Sequence, residues 1–336
     1  MGRSKLAGVI AGILVLSACG GGGSSSGGGA PTGGGGTPTP SPSPSPTPSP
    51  TYSTYAELTG NQTFALTCAG LERDSFQAFS SIPIPFGMDT QTLSYDASAD
   101  TWTVSGEVSQ TFGPADAVTS TNPLVENYYR IDQTGAPPKT LLIAAPEPGG
   151  SKLQYARSMF YQLPNTAMGT TQNRNCVFGV PSDPNDRPSA SSVSYTAFDL
   201  AGTITRQFDD NSVASYSLSG SNISVSVNMN TYSVSISMDV TGTLANNSGS
   251  GLAASAPNTI DLGTLTATDV GINDEPYGIG GLFNYEDPDK NIPFEGWFFG
   301  PQGKEIGFAI TYSSNDPDIT NRTWGTIGNM TLTASR

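Results

Sequence analysis

The run Ile223-Ser224-Val225-Ser226-Val227-Asn228-Met229 leads through Asn230-Thr231 into Tyr232-Ser233-Val234-Ser235-Ile236-Ser237-Met238-Asp239-Val240, and this stretch decides the fold. Apolar residues take every second position, with Ser, Asn or Asp between them. A period of two belongs to a strand with one buried and one wet face. The apolar positions are odd before Asn230-Thr231 and even after it. A tight turn between two antiparallel strands requires such a change of phase.

Working outward, the same texture recurs. Tyr216 and Leu218 precede a break expected at Gly220. Further short runs lie at 192–199, 259–268, 294–299, 306–312 and near 326–333. About eight strands at this spacing predict an antiparallel sandwich or barrel. In the first half, Leu93 to Tyr95 and Thr101 to Val104 flank Asp96-Ala97-Ser98-Ala99-Asp100 and read as a hairpin. Leu141 to Ala144 and Leu153 to Tyr155 flank a loop with Pro146, Pro148 and two glycines. Helical spacing is scarce, and residues 71–79 are the one short helix expected. The stretch Val180-Pro181-Ser182-Asp183-Pro184-Asn185-Asp186-Arg187-Pro188 is dense in turn residues and predicts a boundary between two subdomains. A membrane-spanning barrel is not the reading. Strands such as 222–229 carry Ser and Asn opposite modest aliphatics, and no aromatic girdles recur at strand ends.

Composition narrows the chemistry. The 336 residues include 40 Gly and 26 Pro, only 12% are charged, and 14 Lys and Arg face 28 Asp and Glu, a net charge of −14. His is absent. A Ser-His-Asp triad, a Cys-His pair, His-ligated zinc and His-ligated haem are therefore excluded. The acidic balance argues against nucleic acid as a partner.

The N-terminus reads as an address. Arg3 and Lys5 form a positive start, and Leu6 to Leu16 is an apolar run too short to span a bilayer. It ends in Leu16-Ser17-Ala18-Cys19, similar to the bacterial lipobox, so residues 1–18 read as a lipoprotein signal peptide and Cys19 as the lipidated residue. Two or more acyl chains on Cys19 would hold the protein stably. Gly20 in place of Asp favours the outer membrane; the cell surface is the expected face and the periplasmic face the alternative. Loss of Arg3 and Lys5 leaves 12 basic against 28 acidic side chains, near −16, so lipid rather than charge must do the anchoring. Residues 19–52 read as a disordered tether. Gly and Ser dominate 20–36, and alternating Pro over 37–51 makes an extended spacer of about 45 Å at roughly 3.1 Å per residue.

Once Cys19 is lipidated, Cys68 and Cys176 remain as one pair in an oxidising compartment, which reads as a disulfide. A redox or metal-binding thiol pair is the alternative, but no third ligand type stands nearby. Other constellations are weaker. Glu286, Asp287 and Asp289, with Asn291 and Glu295 behind them, have the look of a calcium loop. They lack its sixth-position Gly and twelfth-position Glu, so a solvated loop is expected and no metal site is assigned. Asp316 and Asp318 are weaker still, and Asp209-Asp210-Asn211 reads as a turn. No pair of carboxylates is fixed for glycoside hydrolysis. Met88, Met159, Met168, Tyr128 and Tyr129 could ligate haem by chemistry alone, yet each reads as packing or turn surface, and no cofactor is implied. Trp297, Phe298 and Phe299 are consecutive and cannot share one face of a strand. Either both faces there are covered, most simply by the other subdomain, or an aromatic is exposed for a partner.

The segments Gly280-Gly281-Leu282-Phe283 and Phe294-Glu295-Gly296-Trp297-Phe298-Phe299-Gly300-Pro301-Gln302-Gly303-Lys304-Glu305-Ile306-Gly307 resemble the C-terminal barrel of transferrin-binding protein B-like surface lipoproteins. Gly296, Phe298, Phe299, Gly300, Pro301, Glu305 and Gly307 fit that pattern. Gly303 stands near its usual Ala, and Phe308 replaces its second Gly. The resemblance implies a mostly β fold: an antiparallel handle subdomain over 53–186, then an eight-stranded antiparallel β-barrel over 187–336. The motif is expected to make a tight Gly-Pro turn, with aromatics filling the barrel. Phe112-Gly113-Pro114 echoes Phe299-Gly300-Pro301, but too briefly for a second lobe, so a single-lobed member is expected. Relatives bind iron-carrier proteins, haem or a complement regulator through loops that differ among them. The resemblance therefore implies a non-catalytic surface lipoprotein that captures a carrier protein or small solute and hands it to an outer-membrane uptake receptor. The alternative is an adhesion or interaction module without cargo. The ligand-binding residues are not legible.

Overall fold

The computed structural model describes residues 51–74, 79–80, 91–274, 277–283, 290–314 and 323–336, and for 71–74, 79–80, 273–274, 277, 290–291 and 323–324 the backbone only. The described residues belong to one compact unit. Three antiparallel layers make up this unit.

The outermost layer is a four-stranded sheet of β1 (Gln62–Ala65), β4 (Thr92–Asp96), β5 (Thr101–Ser105) and β6 (Gln110–Phe112). The middle layer has six strands: β2 (Thr67–Asp74), β3 (Phe79–Ser80), β7 (Val125–Gln133), β8 (Ala136–Ala144), β9 (Ala156–Asn165) and β10 (Thr170–Gly179), ordered β3-β2-β10-β9-β8-β7. One apolar core joins these two sheets, built on Phe64, Leu93, Trp102 and Phe112 from the first and Leu141, Ile143, Tyr161 and Phe178 from the second. The handle is thus built of two antiparallel sheets. The Asp96–Asp100 segment is a hairpin turn, as its sequence reads, with Asp96 paired to Thr101. Asp96 Oδ1 accepts the Ser98 N–H at 2.9 Å and so shapes that turn.

The third layer is an eight-stranded up-and-down barrel. It runs through β12 (Ala197–Phe208), β13 (Val213–Asn228), β14 (Ser233–Asn247), β15 (Thr259–Asp274), β16 (Tyr277–Phe283), β17 (Lys290–Phe299), β18 (Glu305–Ser314) and β19 (Thr323–Ser335). Each strand pairs with the next, and β19 pairs back with β12, which closes the ring. A short strand β11 (Ser192–Tyr195) prolongs the β12 edge along β13. The deciding hairpin has Val225 opposite Ile236 and Val227 opposite Val234. All four point inward with Met238 and Val240. Outside, Ser217, Ser219, Thr241 and Thr266 are exposed, and Ser219 and Thr241 hydroxyls meet across strands at 3.1 Å. Apolar inside and hydroxyl outside is the reverse of a barrel that faces lipid.

Two expectations are corrected. Residues 71–74 and 79–80 are strand, not helix. Their register is fixed by pairing with β10, where Asp74 lies opposite Thr170 and Cys68 opposite Cys176, and such pairing overrides the local helical preference of Leu71-Glu72-Arg73. The break at Gly220 is not a strand end either. β13 continues to Asn228, with an irregularity between Ser221 and Ser224 where Asn222 takes φ +50°. An inserted bulge bends a long strand without ending it. Leu153 to Tyr155 also lie outside a strand, just ahead of β9.

Candidate functional site

The motif that carried the family resemblance is the place where handle and barrel are joined. Along β17, Phe294 and Phe298 enter the barrel core, whereas Phe299 points outward and is buried against Leu153, Tyr155 and Ala156 of the handle. Trp297 packs beside them, partly buried, with Tyr52 and Val180. The three consecutive aromatics therefore cover both faces of one strand, and the covering surface is the handle. Their glycines answer to contacts. A Cβ on Gly296 would run into the Phe308 ring, and one on Gly300, at φ +70°, would run into the Tyr155 ring. Gly307 faces outward, where a Cβ would stand 3.3 Å from Val177 of β10. The aromatics expected to fill the barrel thus divide between its interior and the junction.

Glu305 completes the join. It is buried, and its carboxylate accepts the N–H groups of Gln154, Tyr155 and Ala156 at 2.7, 2.9 and 2.8 Å. Such charge-assisted bonds are the strong ones. Ser182 Oγ donates to the Gly300 carbonyl at 2.6 Å, and Tyr195 donates to the Gly303 carbonyl at 2.6 Å. Further up the wall, Asn175 of β10 donates to Asn329 Oδ1 at 2.7 Å, and Asn329 returns a bond to the Asn173 carbonyl at 3.2 Å. Asp199 of β12 accepts the main-chain N–H of Glu147, and burial, with the Glu147 charge, holds its carboxyl above the usual carboxylate range.

The chain enters this unit at the same end. Tyr52 OH accepts the Asp183 N–H at 2.8 Å, and its ring meets Tyr155 edge-on at 6.4 Å. Burial pushes the Tyr52 phenol up to about 12. Tyr55 lies under the Arg157 guanidinium at 4.2 Å, and Arg157 pairs with Glu126 at 2.7 Å. We call this the proximal end of the barrel; the start of β12, the end of β19 and the β17–β18 turn all lie there. The opposite, distal end carries the β12–β13 turn and the 248–258 connection.

At the distal end the Asp209-Asp210-Asn211 turn is present, with Asn211 at φ +64°. Asp210 accepts the Ser212 and Leu252 N–H groups at 3.0 and 2.6 Å, tying the turn to the next connection. The Ser212 hydroxyl, which donates to the same carboxylate, and then these N–H groups hold the carboxyl below the usual range. Just inside, Arg206 shares the inward face of β12 with Ile204 and Phe208, and Tyr216 faces inward on β13 opposite Ile204. This polar pair was missed in the sequence, where Thr205-Arg206-Gln207 looks like wet surface.

The other candidate residues are dispersed. Cys68 and Cys176 form a disulfide between β2 and β10. Met159 is in the handle core and Met168 is exposed at the β9–β10 tip. Tyr129 is buried and donates to Asn127 at 3.4 Å. Tyr128 neighbours it in β7, and Met159 and Tyr129 belong to one packed handle core. Among the described residues no group of three or more acidic or Cys side chains could hold a metal. Glu295 belongs to β17, between Gly280 and Ala309, and burial pushes its carboxyl up to about 8. Cys19, Met88, Glu286, Asp287, Asp289, Asp316 and Asp318 lie outside the described residues, as does the side chain of Asn291. Phe112-Gly113-Pro114 and Phe299-Gly300-Pro301 each end a strand and open a 3-10 turn, but Gly113 is extended at φ −126° where Gly300 has φ +70°. The described residues contain one barrel.

The architecture is therefore a single eight-stranded barrel welded to a two-sheet handle. No family model matches the chain, and no curated protein matches it. Among solved structures, transferrin binding protein B from Haemophilus parasuis is similar at 13% identity and TM-score 0.34, over 80% of this chain and 45% of that one. The protein of the same name from Neisseria meningitidis is similar at 12% identity and TM-score 0.32, over 80% and 43%. A putative outer membrane protein from Bacteroides fragilis is similar at 11% identity and TM-score 0.24, over 81% and 96%. The chain spans less than half the length of these transferrin binding protein B structures.

Proposed function

We propose that this chain is a non-catalytic outer-membrane lipoprotein, displayed at the cell surface, that captures a carrier protein or small solute for an uptake receptor. Its parts would be a signal peptide over 1–18, lipid on Cys19, a tether over 19–52, a handle over 53–186 and a barrel over 187–336. The observation that supports this most is the placing of the join. Glu305, Gly300 and Tyr52 bind handle, barrel and incoming chain together at the proximal end. A lipid tether pulls on that end, and the turns at the distal end face away from it. Rigid scaffolds that present loops are how binding proteins offer a surface. The dispersed carboxylates and the absence of His favour binding over catalysis.

The test is a deletion strain grown with iron, haem or other nutrients in carrier-bound form, complemented with the wild-type chain or with a chain altered in the 248–258 connection. Slower growth on one bound nutrient, restored only by the wild-type chain, is the expected result. Growth equal to the parent on every source would overturn the uptake role, and loss of surface attachment alone would move the assignment to adhesion.

A further inference from the structure

We propose that the distal mouth of the barrel binds a small organic monoanion, whose carboxylate is held by the Arg206 guanidinium and the Tyr216 hydroxyl. This goes beyond the capture reading and does not depend on it.

Both groups sit where polar atoms are costly. Tyr216 is fully buried, and its hydroxyl has no hydrogen-bond partner among the described residues. Arg206 Nε is buried and likewise without a partner there, although the residue as a whole is half-buried. Native proteins seldom leave such groups unmatched, and each one calls for a missing partner. The two lie on one face. Ile204 is opposite Tyr216 and Arg206 is opposite Ala214, which places Arg206 and Tyr216 as diagonal neighbours inside the wall. The Arg206 charge is felt at the Tyr216 phenol, where it opposes the upward push of burial. Donors are what this pair offers: a guanidinium gives only N–H groups, and a neutral phenol gives one O–H. The matching ligand is an acceptor carrying negative charge, and a planar carboxylate fits the guanidinium fork.

The surroundings narrow the class further. Ile204 and Phe208 are buried beside the pair and Leu244 is packed there, so the body of the ligand is apolar. Below, Leu218, Met238 and Leu265 fill the lumen, so the pair stands above the packed part of the barrel; eight-stranded barrels are either filled or hold one small ligand. A dianion is disfavoured, because one guanidinium faces it, the Asp209-Asp210 turn is at the rim, and the chain carries −14. An aliphatic or aromatic monocarboxylate satisfies every one of these conditions.

The experiment is calorimetric titration of the full chain in nonionic detergent with benzoate, octanoate, benzyl alcohol and inorganic phosphate. One carboxylate is expected to bind at one site per chain, with benzyl alcohol and phosphate at least tenfold weaker. Arg206→Met should weaken it tenfold or more, Arg206→Lys less, and Tyr216→Phe three- to tenfold. Thermal unfolding verifies that each variant is folded; Tyr216→Phe removes only the unmatched hydroxyl and serves if the Arg206 variants fail. Absence of carboxylate binding by the wild type, equal binding by Tyr216→Phe and Arg206→Lys, or phosphate bound as tightly as the carboxylates would each overturn the proposal.

Discussion

Glu305 of the barrel holds Tyr155 of the handle by its main chain, the carboxylate accepting the Tyr155 N–H at 2.9 Å while it also takes the N–H groups on either side. Three donors point at one buried anion. Glu305→Gln keeps the shape but replaces an acceptor oxygen with an NH₂ that faces N–H groups. Hydrogen bonds to charged groups contribute about 1.5–3 kcal/mol each net, and an unmatched buried donor costs about 1–3 kcal/mol. We therefore expect Glu305→Gln to lower the unfolding free energy by about 3 kcal/mol in urea titrations. Hydrogen exchange at 154–156 should rise well before exchange in β13 and β14. Equal exchange at both places would mean that the join is not held by this carboxylate.

The barrel was legible and its join was not, for a physical reason. The alternation over 223–240 has one wet face, so the sequence pattern and the register of β13 with β14 carry the same information. β18 is buried on both faces, Ile306 and Phe308 inside the barrel and Glu305 and Gly307 under the handle. Local periodicity then holds no sign of which layer each residue meets, and Glu305 stands in the motif with no partner legible. Trp297-Phe298-Phe299 left two readings open, cover by the other subdomain or exposure for a partner, and the structure shows the cover. Arg206 failed in the opposite sense: a polar residue on an inward position is invisible until the parity of β12 is known. Residues 71–74 misled because long-range pairing with β10, 108 residues away at the cysteines, outweighs local preference.

Gly300 and Gly135 separate backbone strain from contact. Both have positive φ, +70° and +73°. A Cβ on Gly135 meets nothing within 4 Å, whereas one on Gly300 strikes the Tyr155 ring. Gly135→Ala should cost only the left-handed penalty of about 1–2 kcal/mol. Gly300→Ala should add overpacking of about 1–3 kcal/mol and loosen the same 154–156 amides as Glu305→Gln. Equal losses from the two alanines, read by urea unfolding, would show that Tyr155 gives way freely.

The disulfide closes a loop with a sequence separation of 108. On the chain-entropy account a loop of this size is worth about 4–5 kcal/mol at 25 °C. Replacing both cysteines with alanine should lower the urea midpoint accordingly, with the far-ultraviolet circular dichroism of a β protein retained in the absence of denaturant. The same shift should follow from reduction of the wild-type chain and be absent when the alanine variant is treated with reductant. A loss below about 1 kcal/mol would indicate that pairing of β2 with β10 already confines the unfolded chain, or that the entropic account fails here.

Glu295 gives the fold a pH dependence of unusual sign. Burial raises its carboxyl from the ordinary range to about 8, so between about pH 4.5 and 8 the folded chain holds a proton that the unfolded chain has lost. The folded state then binds more protons, and the stability it contributes falls as pH rises through that window. The full shift would convert to several kcal/mol, but the carboxyl is partly open to solvent, and screening reduces the expected effect to about 1–2 kcal/mol. Carboxyls held low by hydrogen bonds, such as Asp210 and Asp239, act oppositely and only at lower pH, as they become protonated. Glu295→Gln should therefore match the wild type near pH 5 and exceed it near pH 9, flattening the slope between. Urea midpoints at pH 5, 7 and 9 for both chains measure this directly, and a wild-type midpoint that rises between pH 5 and 8 by the same amount as the variant's would show that Glu295 is ionised throughout.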